Sequence, residues 1–336
     1  MEKTYLHQYR LAVITCLLAF CVILMGAYVR LSDAGLGCPD WPGCYGKLVV
    51  PVDEKAVEDA NRAYAERPLD QGKAWKEMVH RYLAGSLGIA ILLLTILAWR
   101  NRRYVMQPLL LPTLLLLLVI FQAALGMWTV TLLVKPAIVT AHLLGGFATF
   151  VLLGLLVLKL RPVGMIHAID TSKPTRRWIR FALVILILQI ALGGWTSSNY
   201  AALACSEFPT CYAGSWWPET DFGEAFVLWR GLGVNYEFGV LENNARTAIH
   251  ITHRIGALIT VLTLGLLIWR LIRLESSPLL RKLGLILLFL LVLQITLGIT
   301  NVLGHLPLGI AVAHNGGAAL LLLLLVTLIW VSRRHE

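Results

Sequence analysis

Four histidines stand out for the chemistry they could do: His80, His142, His253 and His314. Each lies in or beside a long apolar run, where an ionisable side chain is costly and asks for a functional explanation. They fall into two pairs, His80 with His142 and His253 with His314. His142 follows Pro136 by six residues and His314 follows Pro307 by seven, so the pairs sit at matched depth. Imidazole is a standard axial ligand of heme iron. Two histidines on facing helices of a four-helix bundle can clamp a porphyrin edge-on in the core. Zinc fits less well, because each pair lacks a close third protein ligand. A single such histidine would read as a hydrogen-bonded polar residue between helices; two matched pairs favour iron ligation.

Arg81 and Arg254 directly follow two of these histidines. Each could fork onto a heme propionate, or snorkel to the membrane interface. Glu77 precedes His80 by one helical turn, on the same face, and the equivalent position before His253 is His250. A carboxylate there can move protons, or it can be a solvated first-turn residue favoured by the helix dipole. His250 could tune a propionate or face water. Cys38 with Cys44 and Cys205 with Cys211 form two pairs of identical spacing. They suit disulfides in an oxidising compartment, with bracing and a redox role for Cys38–Cys44 both open. Cys16 and Cys21 lie in an apolar run and read as structural.

The elements that must carry these residues follow from composition. The chain has 336 residues, 58% hydrophobic and only 14% charged. Soluble domains are about 45–50% apolar and about 25% charged, so an ordinary soluble enzyme is excluded, as is a disordered chain. Eight apolar stretches start near Leu11, Val79, Leu109, Ala137, Trp178, Ile249, Leu283 and Leu308. Each runs about 20 residues, enough for a helix to cross a hydrocarbon core, and lipid demands that each span satisfy its own backbone. The first lacks an Ala-x-Ala-like cleavage site and reads as a retained span. No transit-type segment precedes it, which points to a bacterial cytoplasmic (inner) membrane.

The net charge of +10 is a topology signal rather than a nucleic-acid footprint. Lys3, Arg10, Arg100, Arg102, Arg103, Lys159, Arg161, Lys173, Arg176, Arg177 and Arg180 gather at one side, with Arg270, Arg273, Arg281, Lys282, Arg333 and Arg334. That side is cytoplasmic by the positive-inside rule, which places both termini inside and both cysteine loops outside.

The chain also repeats itself. The segment from Cys38 to Tyr45 parallels that from Cys205 to Tyr212. His80-Arg81 parallels His253-Arg254, Gln122 to Gly126 parallels Gln294 to Gly298, and Ala141-His142 parallels Ala313-His314. The expected fold is therefore an all-α integral membrane protein. Its eight transmembrane helices form two tandem four-helix bundles, residues 1–165 and 166–336, related by a pseudo-twofold axis along the membrane normal.

The loop from Arg30 to Gly46, with Cys38-Pro-Asp-Trp-Pro-Gly-Cys44 at its centre, resembles the first outer loop of heme A synthases, and Glu77-Met-Val-His80-Arg81 fits the same family. The spans bearing His142, His253 and His314 fit it as well, so the resemblance covers essentially the whole chain. It implies a membrane oxidoreductase that oxidises a methyl group of heme O to a formyl group, through a hydroxymethyl intermediate, to give heme A. It implies that His80 and His142 hold the substrate heme, that His253 and His314 hold a heme b cofactor, and that Glu77 is functionally important. A heme O synthase and oxidase-assembly factors are expected partners from the family only; the electron acceptor is not specified. The charged stretch from about Asp53 to Lys76 has no role that can be read. The competing reading is a bis-histidine cytochrome b that transfers electrons or oxidises quinol. The unequal Glu77/His250 pair argues against it.

Overall fold

The structure is a computed structural model that describes residues 2–103, 107–161 and 169–332. His167, His335, Arg333, Arg334 and the boundary between residues 165 and 166 lie outside the described residues, as does the side chain of Lys3. Among the described residues ten helices follow in order: α1 (Glu2–Leu31), α2 (Glu54–Ala63), α3 (Gln71–Arg100), α4 (Leu110–Thr131), α5 (Pro136–Leu160), α6 (Lys173–Ser198), α7 (Phe222–Ala225), α8 (Asn243–Arg273), α9 (Pro278–Leu303) and α10 (Leu308–Val331). All except α2 and α7 are long and apolar enough to cross a membrane, so the eight expected spans are present. Among the described residues the only β-type pairings are isolated bridges, Cys44 with Lys47 and Tyr212 with Ser215.

Several helices start before their apolar stretch. The second span begins at Gln71 rather than near Val79, and the sixth at Asn243 rather than near Ile249. Hydropathy marks where lipid begins, but backbone hydrogen bonding continues past that boundary until a cap ends it. Asp70 supplies such a cap, its side chain accepting from the Lys73 amide. Proline opens α5, α6 and α9, where its missing N–H costs nothing.

The packing order is the same in each half. Helix α1 packs on α3 and α5, and α4 packs on the same two; α6 packs on α8 and α10, and α9 packs on the same two. The halves meet where α10 packs on α1 and α5, and α5 on α6. A continuous apolar core runs through both, with Phe147, Leu153, Leu156, Leu264, Leu325 and Leu328 essentially solvent-free. Ile14, Leu17, Ile89 and Phe289 point outward, each more than 60% exposed. On a membrane-spanning helix that is the expected lipid-facing surface.

Polar contacts join the halves near the outer ends. Arg30 donates to the Ser197 carbonyl at 2.5 Å, and the Tyr200 hydroxyl donates to Asp33 at 3.1 Å. The Arg30 guanidinium lies 4.1 Å from the Tyr200 ring centre. In the repeat alignment Arg30 corresponds to Ser197 and Asp33 to Tyr200. Equivalent positions of the two halves therefore meet each other. Burial pushes the Tyr200 phenol above its usual range, which keeps it a donor to Asp33.

Association of spans within lipid rests on close packing rather than on the hydrophobic effect. Phe150 is 3% exposed, and its ring lies 5.5 Å from that of Phe20 on α1. Phe150→Ala should destabilise the protein by about 3 kcal/mol through the cavity it leaves, read as a lowered melting midpoint in detergent. An unchanged midpoint would contradict this packing.

Candidate functional site

Each paired histidine sits on a helix that avoids its partner's helix. His80 is on α3 and His142 on α5, and these two make no substantial contact among the described residues. They stand diagonally across their bundle, with α1 and α4 between them. His253 on α8 and His314 on α10 are diagonal in the same way, with α6 and α9 between. His80 and His142 lie within electrostatic reach of one another, as do His253 and His314.

The intervening helices make room for the rings with glycine. A Cβ built on Gly26 of α1 would lie 2.9 Å from His80 Cε1, and one on Gly126 of α4 would lie 3.5 Å from His142 Cε1. In the other half, Gly193 of α6 faces His253 Cε1 at 3.3 Å and Gly298 of α9 faces His314 Cε1 at 3.1 Å. A Cβ at Gly26 would clash with its ring, one at Gly193 or Gly298 would make the ring give by a few tenths of an ångström, and one at Gly126 would make ordinary contact. The Nδ1 atoms of His80, His142 and His314 are buried without a hydrogen-bond partner, whereas His253 Nδ1 lies 3.1 Å from Gln189 Nε2.

This donor set fits a porphyrin. No cluster of three or more His, Cys, Asp or Glu side chains able to hold a bare metal ion occurs among the described residues. Two imidazoles per half, held on diagonal helices and cleared by glycines, suit a group that brings its own four equatorial nitrogens.

Above each histidine pair lies a disulfide loop, and both cysteine pairs are bonded, Cys38 to Cys44 and Cys205 to Cys211. Each loop turns at two consecutive left-handed residues, Tyr45-Gly46 in the first and Ala213-Gly214 in the second, the conformation of a tight two-residue hairpin turn. A carboxylate spans each turn. Asp40 accepts from the Tyr45 and Gly46 amides at 2.6 and 2.8 Å. Glu207 accepts from those of Ala213 and Gly214 at 3.0 and 3.1 Å. The Thr210 hydroxyl and these amides hold the Glu207 carboxyl below its usual range.

The loop is pinned to the histidine helix by the residues flanking the histidine. Arg81 donates to the carbonyls of Asp40 and Pro42, at 2.9 and 3.3 Å, and to that of Gly43. Arg254 donates to the equivalent carbonyls of Glu207 and Thr210, at 2.7 and 2.8 Å, and to that of Cys205 at 3.0 Å. The sequence left these arginines between a propionate and the membrane interface; the structure shows both clamping the cysteine loops, a contact that spacing alone did not reveal.

Glu77 is 5% exposed, so it is not a solvated first-turn residue. Its Oε2 accepts from the Cys38 amide at 2.8 Å and its Oε1 from Arg81 at 2.5 Å. His250 is 4% exposed and does not face water. Its Nδ1 accepts from the Cys205 amide at 3.1 Å. One half thus carries a carboxyl group and the other an imidazole in the same hydrogen bond, and among the described residues Arg254 lacks the ion pair that Arg81 makes with Glu77.

The charged stretch between the first disulfide and α3 also finds a place. It forms α2, and Ala60 and Tyr64 pack on the cluster of Cys38, Cys44, Tyr45 and Met78. Tyr45 meets Tyr64 edge-on at 5.3 Å and donates to the Arg67 carbonyl at 3.1 Å. Residues 71–76 belong to α3, not to the loop.

Fold and site together define a polytopic helical membrane protein with two paired-histidine centres, each roofed by a disulfide loop. Residues 9–326 match the family model described as cytochrome oxidase assembly protein, COX15-CtaA. The chain belongs to that family. It is 51% identical over 329 residues to a protein of Shewanella oneidensis named heme A synthase, covering 98% of this chain and 96% of that one. It is 27% identical to a Shouchella clausii protein of the same name, over 97% of each chain. A third heme A synthase, from Sinorhizobium medicae, is 29% identical over 89% of this chain and 82% of its own.

The bonded loops generate a direct prediction. Of six cysteines, only Cys16 and Cys21 are free. Alkylation of the unreduced, denatured protein should label two cysteines by mass, and prior reduction should raise this to six. Labelling of Cys38 or Cys44 before reduction would contradict the closed loop.

Proposed function

We propose that this protein is a heme A synthase in which the halves divide the work: the N-terminal half, residues 1–165, oxidises the substrate heme, and the C-terminal half, residues 166–336, holds a heme b. The observation that carries this reading is the exchange of Glu77 for His250 at one structural position. Both groups cap the amide of the first loop cysteine, so the loop does not require a carboxylate. Its presence beside only one histidine pair supports placing proton chemistry there.

His80 and His142 hold heme O, and His253 and His314 hold the resident heme b. A heme b in the C-terminal half supplies one-electron transfer when bound. The histidine pair and its glycine seats would hold the porphyrin in one orientation, which selects the methyl group that reacts. Each of the two oxidations, to hydroxymethyl with water as the oxygen source and then to formyl, releases two protons and two electrons; the electrons would leave through the heme b of the C-terminal half to an external acceptor. Glu77 accepts the protons at its Oε atoms, whose lone pairs are not exhausted by the Cys38 amide and Arg81. Arg81 orients the carboxylate and ties it to the disulfide loop. For Arg81 and Arg254, contact with a propionate rests on position alone.

The setting is a bacterial inner membrane, with both termini on the cytoplasmic side and both disulfides outside. The basic residues at the ends of α3, α5 and α8 and the starts of α6 and α9 support that orientation. Heme O is the substrate, delivered within the membrane from a heme O synthase, and oxidase-assembly factors receive the product.

In a host that makes heme O but no heme A, expression of this chain should yield heme A on extraction and mass analysis. Glu77→Gln keeps an acceptor for the Cys38 amide but removes the base. It should retain the heme content of the purified protein and lower turnover by about 100-fold or more, the usual worth of a general base. Full activity of Glu77→Gln would overturn this role.

A further inference from the structure

Three of the four histidines share a clamp that the fourth lacks. On α9, the Gln294 amide lies over Gly317, three residues after His314, and donates to the His314 carbonyl at 3.0 Å. On α6, Gln189 lies over Gly256, three residues after His253, and donates to the His253 carbonyl at 3.1 Å. Its nitrogen also reaches His253 Nδ1 at 3.1 Å. On α4, Gln122 lies over Gly145, three residues after His142, by packing alone, its amide nitrogen without a partner. In each case the glutamine precedes, by one helical turn, the glycine that seats the histidine ring: Gln122 with Gly126, Gln189 with Gly193, Gln294 with Gly298.

Helix α1 keeps the seat and loses the clamp. Gly26 faces the His80 ring, but the residue one turn before it is Val22, and the residue three after His80 is Leu83. A valine cannot donate to the His80 carbonyl, and a leucine leaves no trough for an amide to cross. No side-chain hydrogen bond restrains His80 among the described residues, and its Nδ1 is unpartnered. The four histidines therefore form a graded series. His253 and His314 are held through their carbonyls, His142 by the packing of Gln122 and by the Gln122 backbone that its ring faces, and His80 by its glycine alone.

We propose that the Gln–Gly clamp makes the C-terminal half a retentive heme site, and that its absence makes His80 the labile ligand through which the N-terminal porphyrin enters and leaves. This rests on the reading that the N-terminal half holds an exchanging iron porphyrin. A substrate site must release its product each turnover, whereas a cofactor site must not. Restraint on the helical turn that carries a ligand slows the ligand's departure from iron, because an unclamped turn can move away without breaking a hydrogen bond to its carbonyl. His80 and its neighbours are positioning features here; the chemistry stays with Glu77.

The test measures heme transfer from the detergent-solubilised full chain to an excess of a heme-scavenging apoprotein, followed by absorbance. Two backgrounds isolate the halves: His253→Ala/His314→Ala leaves only the N-terminal site, and His80→Ala/His142→Ala only the C-terminal one. Transfer from the N-terminal site should be the faster. Val22→Gln with Leu83→Gly should slow it about tenfold, the scale of one net hydrogen bond. Gln189→Leu should speed transfer from the C-terminal site by a similar factor, and this arm decides the matter if the double variant does not fold. Heme bound in both halves, with rates indifferent to these changes, would overturn the clamp proposal alone. An N-terminal half that binds no heme would overturn the functional reading and the clamp proposal with it.

Discussion

The structure depends on keeping four imidazole rings between helices that do not touch one another. Lipid obliges each span to be a complete helix, and close packing is what holds spans together. A ring inserted between helices would normally force them apart. Glycine at Gly26, Gly126, Gly193 and Gly298 absorbs each ring instead, so α1 and α4 approach α3 and α5 closely while the diagonal stays open, and α6 and α9 do the same in the other half. Everything outward of that follows: the matched depth of the histidines, the arginine one residue on, and the disulfide loop that the arginine clamps.

Duplication gave both halves one scaffold, and function is written in the few positions where they differ. Glu77 and His250 make the same hydrogen bond, one with a carboxyl group and the other with an imidazole. Val22 and Gln189 occupy the same place on α1 and α6 with different polarity. Neither difference alters the fold. Glu77 and His250 lie one turn before a histidine, Val22 and Gln189 lie one turn before the glycine that faces a histidine ring, and on the proposals above both differences set the N-terminal half apart.

Much of this was legible in the sequence. Eight spans could be counted from hydropathy because lipid allows only one way to spend so many apolar residues. The histidine pairs, Glu77 and the cysteine pairs stood out because polar residues are rare in such runs and because the repeat printed them twice. Helix ends such as Gln71 and Asn243 were not legible, because caps rather than hydropathy set them. The role of Arg81 and Arg254 was missed because a loop carbonyl leaves no signature in a side-chain pattern. The clamp glutamines were visible as repeat landmarks, and the third copy, Gln189 to Gly193, was open to the same reading. Their purpose needed the packing of α6 on α8 to appear, since a glycine three residues after a histidine says nothing until an amide lies across it.

The central claim, that chemistry belongs to the N-terminal pair and electron transfer to the C-terminal pair, is tested most directly by removing one pair at a time. Hemes would be extracted from membranes and from the purified protein, in a host supplied with heme O, and identified by mass. His80→Ala/His142→Ala should retain heme b in the protein and yield no heme A, whereas His253→Ala/His314→Ala should still bind heme O and stall. Heme A at the unmodified level from the variant lacking His80 and His142 would contradict the account.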